Sequence, residues 1–197
     1  MTGFDTAKMR PAQKNDALAL AKLIDTAGEG IPSWLWAKQA EKGQSPLDIG
    51  VQRAGREEGG FSYKNAMVAE HDGAVAGMLL SYAITEAPED DPDSLPPAIA
   101  PFVELEAHSV GTWYINALAV FPWARGMGIG SDLLRLAETL AVDNGQTKMS
   151  IQVYAQNHGA VRLYQRMGYA MATKAPVRSH PAQPYYTGDV LLLTKTI

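Results

Sequence analysis

Leu118-Ala119-Val120-Phe121-Pro122-Trp123-Ala124-Arg125-Gly126-Met127-Gly128-Ile129-Gly130-Ser131 is the stretch on which the reading of this chain turns. Strand formers run into a glycine-rich turn, and the turn opens a helix. Glycines at 126, 128 and 130 let the backbone turn tightly and approach a ligand closely. The first helical turn offers unpaired N–H groups and the positive end of the helix dipole. Together these make an anion site suited to phosphate, to which Arg125 adds a fork of donors. No Gly-Lys-Ser/Thr follows the glycines, so the turn is not a P-loop. A dinucleotide fingerprint requires a sixth-position glycine where Ser131 stands. It also belongs to an early strand–helix unit, whereas this turn lies past the midpoint of 197 residues.

Working outward, Thr112 to Val120 reads as the strand entering the turn. Strict alternation sends Tyr114, Asn116, Leu118 and Val120 to one face and Trp113, Ile115, Ala117 and Ala119 to the other. Gly128 to Asn144 reads as a helix with Ile129, Leu133, Leu136, Ala137, Leu140 and Ala141 on one face. Lys148 to Tyr154 is a strand, Asn157 to Met167 a helix ended by Gly168, and Tyr169 to Lys174 and Asp189 to Thr196 the last strands. Upstream, Met9 to Ala12 closes a first strand. Asp16 caps a helix carrying Ala17, Leu20, Leu23, Ile24 and Ala27, with Gly28 as its stop. Ser33 to Ala40 is a short helix, and Ser45-Pro46-Leu47-Asp48 starts another. Ala66 to Glu70 and Ala74 to Ile84 form a hairpin turning at Asp72-Gly73. Ala87 to Pro101, with five prolines and four acidic residues, reads as loop. The alternation of strands and helices predicts an α/β fold with a mixed or parallel sheet covered by helices.

Composition narrows the classes. A hydrophobic share of 46% is that of a globular chain rather than a disordered one, and the length suits one domain, 1–197. Cysteine is absent, which removes disulfides, Cys-ligated metal and a thiol nucleophile. A net charge of −4 argues against electrostatic binding to nucleic acid or an anionic membrane. Residues 1–10 hold no apolar core of a signal peptide, and no apolar run is long enough for a spanning helix. A cytoplasmic location is therefore expected. His71, His108, His158 and His180 are scattered without metal-ligand spacing, and no metal is expected. A nucleophile elbow of the Gly-x-Ser-x-Gly kind is absent too.

Read as Arg-x-x-Gly-x-Gly, with Arg125, Gly128 and Gly130, the turn resembles the acyl-CoA signature of the GNAT superfamily of N-acyltransferases. Asn157-His158-Gly159-Ala160-Val161-Arg162-Leu163-Tyr164 followed by Gly168-Tyr169 resembles that family's next motif. The gap between the two holds one helix plus one strand. The resemblance is close over about 112–174, the acyl-CoA-binding core, and looser over 9–28. It implies a single-domain mixed sheet flanked by helices and an N-acetyltransferase using acetyl-CoA as cosubstrate. It implies that backbone groups of Leu118, Ala119 and Val120 pair with the pantetheine arm. It places the pyrophosphate on Arg125 and the N–H groups of Gly126, Met127, Gly128, Ile129, Gly130 and Ser131. Asn157 matches a residue touching the cofactor arm, and it also suits an N-cap. Tyr164 matches the tyrosine that protonates the departing thiolate, although its spacing also suits a core tyrosine.

Several members of that family carry a glutamate on the strand before the loop, whereas Thr112 to Val120 holds no carboxylate. Glu29, Glu104, Glu106 and water are the alternatives for the base. The missing carboxylate also motivates a second reading, a catalytically silent acyl-CoA-binding module. The acceptor is a small-molecule amine or a peptide N-terminus. Glu29, Trp34 and Trp36 wall its site or, for the tryptophans, anchor the core. Tyr185 and Tyr186 join that cleft or lie at a homodimer edge.

Overall fold

A computed structural model describes residues 7–90 and 94–197. The first six residues and the centre of the proline-rich stretch, 91–93, lie outside the described residues. The described elements are seven strands and six helices, and the strands form one sheet of order β1-β2-β3-β4-β5-β7-β6. Two compact units can be distinguished: Met1–Leu80 with Ala117–Leu134, and Ser81–Asn116 with Arg135–Ile197.

In the first unit the hairpin forms as its turn chemistry predicts. β2 (Ala66–His71) and β3 (Ala74–Ile84) pair antiparallel with His71 opposite Ala74. Asp72 and Gly73 have φ of 51° and 74°, the left-handed pair that a two-residue hairpin turn demands. β1 (Lys8–Pro11) adds antiparallel to β2, with Lys8 opposite Glu70. α1 (Ala17–Ala27) buries Leu20, Leu23 and Ile24, the face that its period marks. α2 (Ile31–Ala37) begins two residues before the expected Ser33, because Pro32 suits a first helical turn and Gly30 enters it at φ 89°. α3 (Pro46–Ala54) has the expected capping box: Asp48 N–H donates to Ser45 Oγ at 3.3 Å, and Ser45 N–H donates to Asp48 Oδ2 at 2.7 Å.

Asp16 precedes α1 as expected, but its carboxylate does not cap that helix. It accepts from Gln13 N–H at 2.7 Å and from Arg10 at 2.7 and 3.0 Å, while Arg10 also reaches Glu70 Oε1 at 2.7 Å. The guanidinium holds the Asp16 carboxyl below the usual carboxylate range. A carboxyl depressed on folding stabilises above its ordinary value, and that contribution fades as pH falls through the folded value. Asp16→Asn is therefore expected to cost about 1.5–3 kcal/mol at pH 7. The cost should shrink in urea melts as pH falls below the ordinary carboxylate range; an equal cost at every pH would show that the charge contributes nothing.

In the second unit β5 (Lys148–Tyr154) runs parallel to β4 (Thr112–Val120), with Trp113 opposite Met149. Such a pair needs a crossover, and α5 (Ile129–Asp143) supplies it. β7 (Asp189–Thr196) pairs antiparallel with β5 and also with β6 (Ala170–Pro176). The sheet is thus mixed, as expected. One helix was not expected: α4 (Ala100–Glu106) begins inside the stretch read as loop. Pro101 sits in its first turn, where a proline lacks no needed donor. α6 is His158–Arg166. Buried Gln183 bonds Tyr154 Oη at 2.5 Å and the Ala98 carbonyl at 3.0 Å, tying down the long β6–β7 connection.

Candidate active site

The phosphate-type turn lies in the first unit. Ala119 is buried while Leu118 and Val120 are half-buried, so the predicted alternation holds at the end of β4. Gly77 on β3 permits a close approach there. A Cβ at Gly77 would stand 3.1 Å from the Ala119 carbonyl and 3.2 Å from the Val120 and Ile129 side chains. Phe121 N–H donates to the Ala76 carbonyl at 2.8 Å, and a 3-10 turn over Pro122–Ala124 leads to Arg125.

Arg125 is exposed, and its Nε donates to the Val120 carbonyl at 3.2 Å. That bond fixes the stem and leaves the two terminal nitrogens outside it. Gly126 and Gly128 have φ of 81° and 84°. A Cβ on either would meet nothing within 4 Å, so backbone conformation rather than crowding requires glycine, and open space lies beside both. The Gly128 carbonyl accepts from Ser131 and Asp132 N–H at 2.9 and 3.1 Å, which starts α5. The N–H groups of Gly128, Ile129 and Gly130 thus fall in the region without intrahelical acceptors. Ile129, 2% exposed, anchors the turn, while Met127 and Trp123 stand at the surface. Trp123 lies 6.5 Å from the His71 ring.

The second motif, Glu104 and Glu106 lie in the second unit, and Glu29 in the first. Asn157 caps α6, accepting from Ala160 N–H at 3.1 Å. Tyr164 is 6% exposed and its ring sits 6.1 Å from that of Tyr169. Burial raises the Tyr169 phenol, with the Glu138 charge and Tyr164 adding to it. Glu104 lies 3.9 Å from Arg178, and Glu29 sits in the α1–α2 loop at φ 51°.

Glu106 is different: it is half-buried at the end of α4, and burial raises its carboxyl. Its charge reaches the phenols of Tyr82 on β3 and Tyr114 on β4, which burial first and Glu106 second push well above the usual range. The two rings meet edge to face at 6.0 Å, and Asn116 acts to lower both phenols against these two effects. Sequence reasoning named Glu106 but not the tyrosines or Asn116. The alternation that put Tyr114 and Asn116 on one face of β4 was the available signal.

The tryptophans separate. Trp36 is buried in the core of the first unit, and Trp34 is half-buried with the Lys38 ammonium 3.8 Å from its ring centre. Tyr185 packs on Tyr154 at 5.2 Å while Tyr186 is exposed. Among the described residues no group of three or more His, Asp or Glu side chains is arranged to hold a metal. No helix among them is long and apolar enough to cross a membrane.

Comparison with known proteins adds the following. The model of the Acetyltransferase (GNAT) family matches residues 31–169. An uncharacterized N-acetyltransferase of Bacillus subtilis (strain 168), YdgE, is 34% identical over 58 residues, 29% of this chain and 37% of that protein. The matched region thus spans little more than a third of that relative. An N-acetyltransferase from Staphylococcus aureus Mu50 shares the fold at TM-score 0.68 and 22% identity, over 96% of this chain and all of that one. A ribosomal-protein-alanine N-acetyltransferase from Brucella melitensis does so at 0.64 and 17%, over 96% and 99%. The yncA protein of Salmonella typhimurium, solved with its cofactor acetyl-CoA, does so at 0.62 and 16%, over 98% and 94%.

Proposed function

The chain belongs to the GNAT acetyltransferase family, and from that premise we propose that it moves an acetyl group from acetyl-CoA to an amine by direct transfer with both substrates bound. The observation that carries this reading is the turn at Gly126 and Gly128. Two left-handed glycines, open space beside them and the N-terminus of α5 together suit a pyrophosphate. The chain's net charge of −4 would repel so anionic a ligand, so the attraction has to be local.

Bound acetyl-CoA supplies a thioester carbonyl open to an amine and a thiolate able to leave. On this reading the N–H groups from Gly126 to Ser131 hold the pyrophosphate. Arg125 contributes its two terminal nitrogens, since Nε is engaged by Val120. Backbone groups of Leu118 to Val120 hold the pantetheine arm as an added strand would. Asn157 touches that arm beside its capping role. Tyr164 gives a proton to the thiolate, because a phenol of reference pKa near 10 can protonate a thiolate of reference pKa near 8.5. With no cysteine in the chain, an acetyl-thiol relay is impossible and the amine attacks directly. The acceptor is a small-molecule amine or a peptide N-terminus, and a cytoplasmic location belongs to the same reading.

Calorimetric titration and thermal melts test the ligand. Acetyl-CoA at a hundredfold excess over Kd should stabilise the protein by about 2.7 kcal/mol. Gly128→Val, which forces a β-branched residue into left-handed backbone at a cost of about 1–3 kcal/mol, should weaken binding by roughly tenfold or more. No stabilisation of the unaltered chain at millimolar acetyl-CoA would contradict the reading.

A further inference from the structure

We propose that the sheet face beneath α4 seats the acceptor, that Gln152 Oε1 takes the first amide N–H of a peptide there, and that the acceptor is therefore a peptide N-terminus rather than a polyamine. The assignment rests on the acetyl-transfer reading above and narrows its acceptor to one class.

On β5, alternation puts Ser150, Gln152 and Tyr154 on one face. Gln152 stands opposite Leu192 of β7, and Tyr154 opposite Val190. Leu105 of α4 joins Tyr154, Val190 and Leu192 in one buried cluster, so α4 covers this face. A seat between a helix and a sheet ordinarily takes an apolar side chain, yet position 152 holds an amide. Its Nε2 donates to the Phe102 carbonyl at 3.0 Å. That bond orients the amide and leaves Oε1 buried, with no hydrogen-bond partner among the described residues. A buried carbonyl oxygen without a donor is costly, and a ligand N–H removes the cost. Gln152 as a whole is only half-buried, so a small side-chain rotation brings the oxygen to a ligand.

The walls of the seat are aromatic. The Tyr154 ring meets Phe102 at 5.2 Å and Tyr185 at 5.2 Å, edge-on to both. Phe102 and Tyr185 are half-buried and keep part of each ring toward the outside. The frame is braced from behind: Tyr154 Oη donates to Gln183 Oε1 at 2.5 Å, and Gln183 Nε2 donates to the Ala98 carbonyl at 3.0 Å. Side chains held in this way lose little freedom when a ligand arrives. All of these residues belong to the second unit.

The chemistry of the seat selects its ligand. Oε1 carries no formal charge, so a neutral amide N–H is buried against it without stranding a charge. A peptide supplies that N–H one residue after its terminal ammonium, and its first side chain can lie on the rings. A polyamine offers only further ammonium groups, which bond more strongly to a carboxylate than to an amide oxygen.

The test gives the unaltered protein acetyl-CoA and three acceptors: phenylalanyl-alanine amide, its analogue with an ester oxygen in place of the first amide N–H, and spermidine. KM for the ester should lie roughly tenfold above that for the peptide, the worth of one hydrogen bond, with kcat within about twofold. In Gln152→Leu the peptide's KM should rise to that of the ester, because the N–H has lost its partner. Calorimetric Kd for acetyl-CoA should stay within about twofold. Equal KM for peptide and ester in the unaltered protein would overturn the Gln152 assignment, and needs no variant to fold. A tenfold gap that persists in Gln152→Leu would overturn it too, since a merely structural glutamine moves both acceptors together. Thiol release from spermidine with none from the peptide would overturn the peptide class and leave acetyl transfer standing. No release from any of the three would overturn the acetyl-transfer reading and this assignment with it.

Discussion

Tyr164→Phe is expected to lower kcat by roughly 10²-fold, the usual worth of a positioned proton donor, while KM for acetyl-CoA stays within about a factor of two. The substitution removes one oxygen and keeps the ring. Tyr164 is 6% exposed and its ring rests 6.1 Å from that of Tyr169, so Phe refills the same seat and the fold should survive. On the proposed reading, what disappears is the proton for the departing thiolate. A loss confined to kcat therefore reports an interaction made in the transition state, whereas a matched rise in KM would report ground-state binding. Steady-state kinetics on both proteins makes the distinction. Full kcat in the variant would return Tyr164 to the role of a core tyrosine.

Trp36→Ala is expected to destabilise the chain by about 3–5 kcal/mol. Trp36 is 4% exposed and its ring lies so close over α3 that a Cβ on Gly50 would stand 2.5 Å from it. Gly50 is the space the ring needs, and the ring in turn joins α2 to α3. Removing it leaves a cavity that those helices cannot close without moving Leu20 and Leu23, which belong to the same buried cluster. Since domains hold only about 5–15 kcal/mol in total, the variant should unfold at much lower urea, with an unchanged slope. A loss below about 1 kcal/mol would contradict the core assignment. Trp34→Ala should cost far less, because that ring is half-buried and covered by Lys38.

Elements whose signals are local were readable from residue order. The hairpin at Asp72-Gly73, the capping box at Ser45 and Asp48, and the cap at Asn157 all formed where turn and cap chemistry put them. α4 is hidden in residue order because the prolines of 87–101 mark loop, yet Pro101 falls in a helical first turn. Position alone makes Asp16 a helix cap. Arg10 and Glu70 are brought to it only when β1 pairs with β2, and a bidentate guanidinium outcompetes a helix N–H. The placement of β7 between β5 and β6 depends on long-range pairing that no local pattern encodes. At the candidate site the glycine turn was legible because positive φ demands a residue type. The different surroundings of Glu29, Glu104 and Glu106 were not, because burial and ion pairing are not visible in residue order.

Acetyl transfer itself is tested most directly by following free CoA thiol while the unaltered protein is given acetyl-CoA and a panel of primary amines. The expected result is saturable thiol release with at least one amine, matched by a single acetyl group gained by that amine and absent without protein. Acetyl-CoA that binds and stabilises the chain while no amine accelerates thiol release would contradict it, and would leave a binding module in place of an enzyme.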